Sequence, residues 1–340
     1  MTSSLSPHLS QRSPLTHQET QLLITHKSTR CIATGLTVGA VLLTSACGGS
    51  STSGSVPTTG AGTASSAVTD TAALLASVKK DPTLANDVPA LIKSTGVLTV
   101  GSNVQSPPNN FYGADGKTPI GFEVDIITAI GKKLGLTVSY QDMGFNALIT
   151  SLQSGRVNTT IAGMNDTKAR QGKIQFVDYF NSGITIMVQK GNPNNISSSG
   201  DLCGKSIAVV TGTSQEDFAK LQSAKCTSGG KSPLTVTATD SDSQNQTQLR
   251  TGRVMAILND LPSAVYISRT AGNGKYFQTV DQAPINGGPY GIGVIKSNTQ
   301  LAQDVQKALQ SLMSDGTYGK ILSNWKITSG ALKTATINAG

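Results

Sequence analysis

An internal repeat constrains the fold of this chain more than any other feature of its sequence. Two stretches share a helix end, a glycine, the pair Arg-Val and then a strand: SLQSGRVNTTIAGM (151–164) and QLRTGRVMAILND (248–260). Gly155 and Gly252 suit the left-handed conformation in which many helices end. The copies lie about 97 residues apart, which is too far for a solenoid repeat. We therefore predict two related lobes, each built on a strand–helix–strand unit.

The sequence around the repeat has the pattern of an α/β protein. From Val97 to about Ile327, strand-like stretches alternate with helix-like ones. Each copy of the repeat has a strand-like partner upstream, VLTVGS (97–102) and SIAVVTGT (206–213). Because open α/β sheets bind ligands at the carboxyl ends of their strands, two such lobes facing each other would enclose a ligand cleft.

An uncharged, largely apolar run, residues 31–46, follows Lys27 and Arg30 near the start of the chain. Its length of about 16 residues falls short of the roughly 20 that a membrane-spanning helix needs. A positive start, an apolar middle and a small-residue end are typical of a secretory signal peptide. We therefore predict that residues 1–46 are removed on export. The long stretch ahead of Lys27 leaves open a true start codon downstream of Met1.

Cys47 follows this run directly, with Ser45 and Ala46 before it. The stretch resembles the lipobox of bacterial lipoproteins, although Thr44 stands where that family usually has leucine. The resemblance implies that Cys47 carries a lipid and anchors the protein to the outer face of the bacterial cell membrane. An ordinary signal peptide with an incidental cysteine is the alternative. Residues 47–69, rich in Gly, Ser and Thr, are predicted to form a flexible tether.

Removal of the leader would also limit the chemistry available to the protein. All three histidines precede Cys47, so the exported chain would have no imidazole for acid–base work or for metal binding. Its net charge would be about +6, with scattered Lys and Arg and no aromatic-interleaved basic motif. We therefore expect no cofactor, no bound metal and no nucleic-acid partner.

Cys203 and Cys226 are the cysteines that remain beyond the lipidation site. An even pair in an oxidising compartment predicts a disulfide. It would close a loop of about 23 residues and contribute roughly 3 kcal/mol on the chain-entropy model. Two buried free thiols are the alternative.

Five stretches resemble the amino-acid-binding family of extracellular solute-binding proteins of ABC transporters, and the resemblance covers about residues 90–328. They are PPNNFYGADGKTPIGFEVDIITAIGKKLGL, FNALITSLQSGRVNTTIAGMNDTKARQGKIQFVDYF, LCGKSIAVVTGTSQEDF, GRVMAILNDLPSAVYI and DGTYGKILSNW. The resemblance implies an α/β, two-lobed periplasmic-binding-protein-like fold with two hinge crossovers. It also implies a monomer that closes on one amino acid and delivers it to an ABC transporter permease.

These features together predict a domain organisation of six parts, three before the two lobes and one after them. It comprises a signal peptide (1–46), a tether (47–69), a helical N-terminal extension (70–95), lobe 1 (96–188 with 290–328), lobe 2 (189–289) and a C-terminal tail (329–340).

The segment GMNDTKAR (163–170) is the strongest candidate for a ligand site in the first lobe. Asn165, Asp166 and Thr167 follow a strand and are residue types that begin helices. Exposed amides at a helix start suit a carboxylate, and Arg170 can offer it two parallel N–H donors. The resemblance implies that Arg170 binds the α-carboxylate with Thr167 beside it, while Asn165 replaces the usual serine. A solvated helix charge is the alternative for Arg170.

The second lobe has a corresponding loop, VTGTSQED (210–217), with Thr213 and Ser214 at a strand end before a helix. The resemblance implies that both contact the ligand. Asp260 ends the repeated strand AILND and matches the family's acid for the α-ammonium. A carboxylate there is favourable only when it is paired, because burying it alone is costly. A loop-capping role is the alternative for Asp260.

The stretch PPNNF departs from the family's pattern. The family often has an aromatic residue directly after Pro-Pro, where this chain has Asn109, and Phe111 follows two positions later. The shift weakens the case for stacking by Phe111 and leaves Asn109 to hydrogen-bond the ligand side chain. No second acid is evident at the mouth, which favours glutamine, glutamate or another polar amino acid over arginine or lysine. A dehydratase-like enzyme and a ligand-sensing receptor module, both on this fold, remain as alternatives.

Overall fold

The computed structural model describes residues 71–340, which form two α/β lobes joined through one mixed sheet. The predicted signal peptide, the lipidation site Cys47 and the tether lie outside the described residues. The strands are β1 (Val97–Ser102), β2 (Gln105–Ser106), β3 (Asn110–Tyr112), β4 (Pro119–Ile120), β5 (Thr137–Asp142), β6 (Thr159–Thr160), β7 (Ile174–Gln189), β8 (Ser206–Val210), β9 (Thr235–Thr239), β10 (Ala256–Asp260), β11 (Phe277–Thr279), β12 (Ile285–Ile295) and β13 (Ala331–Ile337).

The helices lie between these strands and cover the sheet. A helix over 71–77, α1, comes first. It is followed by α2 (Pro82–Asp87), α3 (Ala90–Thr95), α4 (Phe122–Leu134), α5 (Leu148–Gln153), α6 (Lys168–Gln171), α7 (Ser214–Ser228), α8 (Asp242–Arg250), α9 (Leu261–Thr270), α10 (Thr299–Ser314) and α11 (Thr317–Asn324). No helix within 71–340 is long and apolar enough to cross a membrane.

The strand order shows the two repeated units directly. It runs β5-β1-β6-β12-β7-β10-β8-β9, with β11 and β13 also paired to β7. β1 lies parallel to β5 and β6 in lobe 1, and β8 lies parallel to β9 and β10 in lobe 2. Gly155 and Gly252 follow α5 and α8 with φ of 71° and 73°, the left-handed conformation that the repeat predicted. The two-lobed α/β prediction is confirmed.

Two antiparallel strands, β7 and β12, cross between the lobes. β7 pairs with β12 along lobe 1 and with β10 from Ile184 onward in lobe 2. The register between β7 and β12 shifts between Ile285 and Gly288 and again between Tyr290 and Gly291. Irregular pairing of this kind bends a strand locally. The exchange of β12 for β10 as a partner of β7 begins at Ile184, opposite Ile285 of β12, a few residues before the lobe boundaries predicted from the sequence.

Each lobe has its own apolar core, so the sheet between them can bend without unfolding either one. In lobe 1, α4 buries Val124, Ile127, Ile130 and Leu134, the helical spacing that the sequence shows. Fully burying one such side chain stabilises the fold by about 1.5–3 kcal/mol. Lobe 2 has a separate cluster built on β8, β10 and α7.

The predicted disulfide is present in lobe 2, where Cys203 bonds to Cys226 with their Cα atoms 5.6 Å apart. It joins the turn after residue 202 to the last part of α7. Reduction is expected to lower the free energy of unfolding by roughly 3 kcal/mol, since a closed loop restricts the unfolded chain. Urea unfolding with and without a reductant measures this difference. The double variant Cys203→Ser/Cys226→Ser is the control and should not respond to reductant; an equal response in both proteins would contradict the prediction.

Candidate ligand-binding cleft

A small cavity of about 30 Å³ lies between the two lobes. Its lining comes from lobe 1 (Asn103, Ser106, Asn109, Phe145, Ala162) and from lobe 2 (Val210, Thr213, Gln215, Asp242, Leu258, Asn259, Asp260, Ser263). Space of this size holds about one or two waters. A ligand as large as an amino acid must therefore enter with the lobes apart, and the structure is a closed arrangement of the cleft.

Four hydrogen bonds among the described residues join the two lobes around this cavity, three between side chains and one from a side chain to a backbone carbonyl. They are Ser106 Oγ to Asp242 Oδ2 (3.0 Å), Ser214 Oγ to Asn165 Oδ1 (2.5 Å), Arg170 Nη2 to the Gly212 carbonyl (3.2 Å) and Ser263 Oγ to Asn109 Oδ1 (3.5 Å). Each such bond contributes only about 0.5–1.5 kcal/mol net, or about 1.5–3 kcal/mol where Asp242 or Arg170 takes part with its charge, because water replaces it when the lobes separate. Water therefore offsets most of the hydrogen-bond free energy that is lost when the lobes separate.

Arg170 lies at the edge of the cleft on the short helix α6. Thr167 caps that helix, and its Oγ1 accepts from the Arg170 backbone N–H at 3.4 Å. The guanidinium donates through Nη1 to the Asn165 carbonyl at 2.9 Å and lies 5.5 Å from the centre of the Phe145 ring. Burial lowers the pKa of Arg170, and the nearby carboxylates of Asp217 and Asp260 oppose that shift. The positive charge is thus fixed beside the cavity and faces acids of the other lobe.

Asp260 stands at the end of β10 and lines the cavity between the lobes. Its Oδ1 is buried and has no hydrogen-bond partner within the described part of the chain. It occupies the N-cap position of α9 but makes no side-chain capping bond, so the loop-capping alternative is not supported. The pKa of Asp260 is raised to about 7, mainly by burial and also by the charges of Asp242 and Glu123, while hydrogen bonds with Tyr290 and Gln215 oppose the rise. A buried acceptor without a donor costs about 1–3 kcal/mol, which makes this oxygen a place for an incoming ammonium.

Asp242 is a second acid in the same cavity, so the expectation that no second acid lines the mouth is wrong. It is buried at the start of α8, where its carboxylate accepts from Ser106 Oγ at 3.0 Å and from Asn259 Nδ2 at 3.3 Å. Burial raises its pKa to about 6. The sequence did contain a signal: Asp242 comes three residues after the end of strand β9, and Asp260 is the last residue of β10. The exposed Asp240, two residues earlier, satisfies the same rule, so the sequence alone does not separate them.

Glu123 is a buried acid that accepts hydrogen bonds from several parts of lobe 1 next to the cleft. It lies in the first turn of α4, as expected from the helix dipole, and it is fully buried. Its carboxylate accepts from the Gly163 N–H at 2.7 Å, from the Tyr179 hydroxyl at 2.6 Å, from Asn109 Nδ2 at 3.1 Å and from the Asn110 side chain. Burial raises its pKa to about 7, and those hydrogen bonds oppose the rise. One acid therefore connects the Pro-Pro loop to the loop that carries Arg170.

The residues predicted for the ligand site occupy different positions in the closed cleft. Asn109, Thr213 and Asp260 line the cavity, whereas Asn165, Arg170 and Ser214 make contacts between the lobes beside it. Thr213 also caps α7. Their contacts with a ligand stay predictions. The polar lining residues that sequence reasoning missed are Asn103, Ser106, Gln215, Asp242, Asn259 and Ser263.

Phe111 lies apart from the cavity lining. Its ring packs against Tyr266 at 5.9 Å and against Trp325 at 6.0 Å between ring centres. Side chains alternate between faces along a strand, so in β3 the buried Asn110 and the half-buried Phe111 point to opposite sides. Stacking of Phe111 on a ligand stays a prediction that this closed arrangement does not favour.

A cleft that closes between two α/β lobes on a pair of crossover strands is the architecture of a solute-binding protein. Residues 98–328 match the family model of bacterial extracellular solute-binding proteins, family 3, and the chain belongs to that family. The family's extracellular location agrees with the export predicted from the leader.

Named relatives of this chain bind amino acids. The arginine-binding protein ArgT of Corynebacterium glutamicum is 29% identical over 253 residues, 74% of this chain and 81% of that protein. The L-cystine-binding protein TcyJ of Escherichia coli is 30% identical over 240 residues, 69% and 84% of the two chains. Structures of an ancestral arginine-binding protein, one bound to arginine and one to glutamine, share 35% identity with a TM-score of 0.62. They cover 68% of this chain and 98% of theirs.

Proposed function

We propose that the protein captures a cationic amino acid, with L-arginine as the representative ligand, between its lobes and delivers it to an ABC transporter permease. The observation that carries this proposal is the charge of the cleft: the buried Asp242 and the half-buried Asp260, whose Oδ1 is buried, both line the cavity opposite one arginine, Arg170. An amino acid that carries a second positive charge balances this set. The ligands named for ArgT and for the ancestral protein support the same choice.

Binding would use each charged group of the cleft once. Arg170 receives the α-carboxylate, together with backbone N–H groups at the start of α6. Asp260 receives the α-ammonium on its free Oδ1. Asp242 receives the guanidinium in place of the hydroxyl of Ser106, which donates to it in the closed structure. Closure of the lobes then removes water from all three ion pairs, and this strengthens them.

A neutral polar amino acid such as glutamine is the second candidate. Ser106 and Asn259 already donate to the Asp242 carboxylate, and its raised pKa brings its neutral form within reach near neutral pH. A ligand with an uncharged side chain could therefore bind without leaving the Asp242 carboxylate as an unpaired buried charge. The glutamine-bound ancestral structure supports this alternative.

Calorimetry on residues 47–340 with L-arginine, L-lysine, L-glutamine and L-cystine separates the candidates. We expect L-arginine to bind at least about tenfold tighter than L-glutamine, a difference of about 1.4 kcal/mol. Equal or tighter binding of L-glutamine would assign the second candidate. Absence of binding by all four would overturn the proposal.

Binding without chemical conversion is part of the proposal. Residues 47–340 contain no histidine, so the commonest general acid or base is missing from the exported chain. A dehydratase-like enzyme would have to use Asp242, Asp260 or Glu123 instead. Mass spectrometry of L-arginine after prolonged incubation with the protein should recover it unchanged, and any protein-dependent product would contradict this part of the proposal. A sensing role would require a receptor partner in place of a permease.

The lipid anchor is also proposed, on the sequence around Cys47. Cys47→Ala is expected to release the protein from the membrane fraction or to block its processing, because the lipid attaches through that thiol. Detergent partitioning of cells that express each form measures the effect. Cys31→Ala, which changes a cysteine inside the predicted leader, is the matched control and should partition like the wild type. Similar partitioning of Cys47→Ala and wild type would refute the anchor.

A further inference from the structure

The last ten residues of the described chain, 331–340, form an ordered segment that lies outside the part matched by the family model. Its strand β13 runs antiparallel to β7, with Ala331 opposite Phe180 and Ile337 opposite Val177. Asn338, with φ of 57°, then turns the chain. Its N–H donates to the Phe176 carbonyl at 3.1 Å, and its Oδ1 accepts from the Phe176 N–H at 2.8 Å. The segment is therefore tied to lobe 1 at both ends of β13 and at Asn338.

Gly340 brings this segment onto the loop that carries Arg170. Its N–H donates to Asp166 Oδ2 at 2.9 Å, and its carbonyl accepts from Gln171 Nε2 at 3.1 Å. Gln171 Nε2 also donates to Asp166 Oδ1 at 2.8 Å. A Cβ atom on Gly340 would lie 2.0 Å from the Asp166 carbonyl oxygen, so a side chain there must displace one of the two backbones.

The segment also supplies hydrogen-bond donors to two buried acids. Asp178 is fully buried and Asp166 is 4% exposed. Asp178 Oδ2 accepts from Thr336 Oγ1 at 3.0 Å and from the Ala339 N–H at 3.1 Å. Burial raises the pKa of Asp178 to about 6, and the neighbouring Asp166 carboxylate adds to the rise. Without these donors, two neighbouring buried acids would lack hydrogen bonds that stabilise their charges, which is unfavourable.

Asp166 and Gln171 come before and after Thr167 and Arg170 in the chain. Their hydrogen bonds to Gly340 therefore restrain the loop between them. On its other side, the loop is held by β12, because the Asp166 N–H donates to the Pro289 carbonyl at 2.9 Å. The loop 165–171 therefore lies between a crossover strand and the segment 331–340. Arg170 rests on this loop through its bond to the Asn165 carbonyl.

We propose that residues 331–340 act as a strap that fixes the loop 165–171, so that Arg170 is held in place for the ligand's carboxylate before the ligand arrives. Asp166, Gln171 and Gly340 are its positioning residues. Ordering a loop in advance raises affinity because binding no longer has to supply that order. The effect on affinity rests on the proposed function, whereas the effect on the loop does not.

Two variants test the strap, Gly340→Ala and removal of residues 338–340. Gly319→Ala is the matched control, since a Cβ on Gly319 in α11 meets nothing within 4 Å. Hydrogen exchange of the backbone amides of 165–171, measured without ligand, should become about tenfold faster or more in both strap variants. Exchange in β8 of lobe 2 should not change. Calorimetry should show L-arginine bound roughly 3- to 30-fold more weakly. The control should match the wild type in each measurement.

A double-mutant cycle distinguishes positioning from general destabilisation. Combined with Arg170→Lys, Gly340→Ala should weaken L-arginine binding by clearly less than the product of the two single effects, since both act on the same contact. Combined with Thr213→Ala in lobe 2, its effect should multiply. Unchanged exchange of 165–171 would overturn the proposal, and so would faster exchange with unchanged affinity. If the wild type does not bind L-arginine, the proposed ligand fails and the exchange measurement alone decides whether the strap holds the loop.

Discussion

Arg170→Ala and Asp260→Ala are each expected to weaken binding of L-arginine by roughly 100-fold to several-thousand-fold. The two side chains belong to opposite lobes, and each would pair with one charged group of the ligand's backbone. Removing one member of a buried ion pair costs about 3–5 kcal/mol, because the other charge stays buried without a partner. That free energy converts to the affinity loss given above.

The fold should tolerate both substitutions. Arg170 would lose its bonds to the carbonyls of Asn165 and Gly212, worth about 1.5–3 kcal/mol each, but the substitution would also remove the cost of burying the guanidinium charge. Asp260→Ala would remove a carboxyl whose Oδ1 has no partner among residues 71–340, together with its hydrogen bonds to Tyr290 and Gln215, and it would also remove the cost of burying that carboxyl. The melting temperature without ligand should change little. The increase that L-arginine causes in the wild type should vanish, since a ligand stabilises only by binding the native state.

Calorimetry and thermal melting on the same preparations measure the two effects. Arg156→Ala and Asp240→Ala are matched controls, because they remove an exposed arginine of lobe 1 and an exposed acid of lobe 2. Both should bind L-arginine as the wild type does. Near-wild-type affinity in Arg170→Ala or in Asp260→Ala would show that the residue concerned takes no part in binding the ligand.

The two lobes could be predicted from local sequence signals. Gly155 and Gly252 mark helix ends that the backbone does place in the left-handed conformation. The apolar spacing of α4 likewise predicted its buried face, because a 3.6-residue period specifies one side of a helix. These features depend on residues close together in the chain, which is why one sequence is enough to show them.

The missed parts of the cleft depend on contacts between distant residues. Asp242 faces the cavity, where it accepts a hydrogen bond from Ser106 of the other lobe, 136 positions earlier in the chain. Phe111 packs against Tyr266 of α9 and against Trp325, which directly follows α11, so its neighbours come from much later in the chain. Local patterns carry no information about such pairs.

The predicted C-terminal tail shows the same limit. Residues 331–337 form β13 because β7, more than 140 positions earlier, offers them an edge. A short, mixed stretch such as ALKTATI does not indicate its partner strand. What the sequence describes as a tail is part of lobe 1 and contacts the loop of Arg170 through Gly340.

Asp242→Asn is expected to weaken binding of L-arginine by roughly 10- to 100-fold and to leave binding of L-glutamine within about threefold of the wild type. A hydrogen bond to a charged group contributes about 1.5–3 kcal/mol, which corresponds to this loss. Asparagine has nearly the same shape and can still accept from Ser106, which donates to Asp242 at 3.0 Å in the closed structure. The substitution therefore removes the charge and keeps the contact between the lobes.

The ratio of the two affinities should also depend on pH in a direction that Asp242 determines. Burial raises its pKa to about 6, so below that pH the carboxyl is protonated and must lose its proton to pair with a guanidinium. The preference for L-arginine should accordingly fall as pH drops below about 6, by up to tenfold per pH unit. In the proposed binding mode Asp260 would pair with the α-ammonium of both ligands, so its titration should cancel in the ratio. Calorimetry from pH 5 to 8 should show this dependence in the wild type and a constant ratio in Asp242→Asn. A wild-type ratio that does not change with pH, or equal losses for both ligands in the variant, would show that Asp242 does not select the cation.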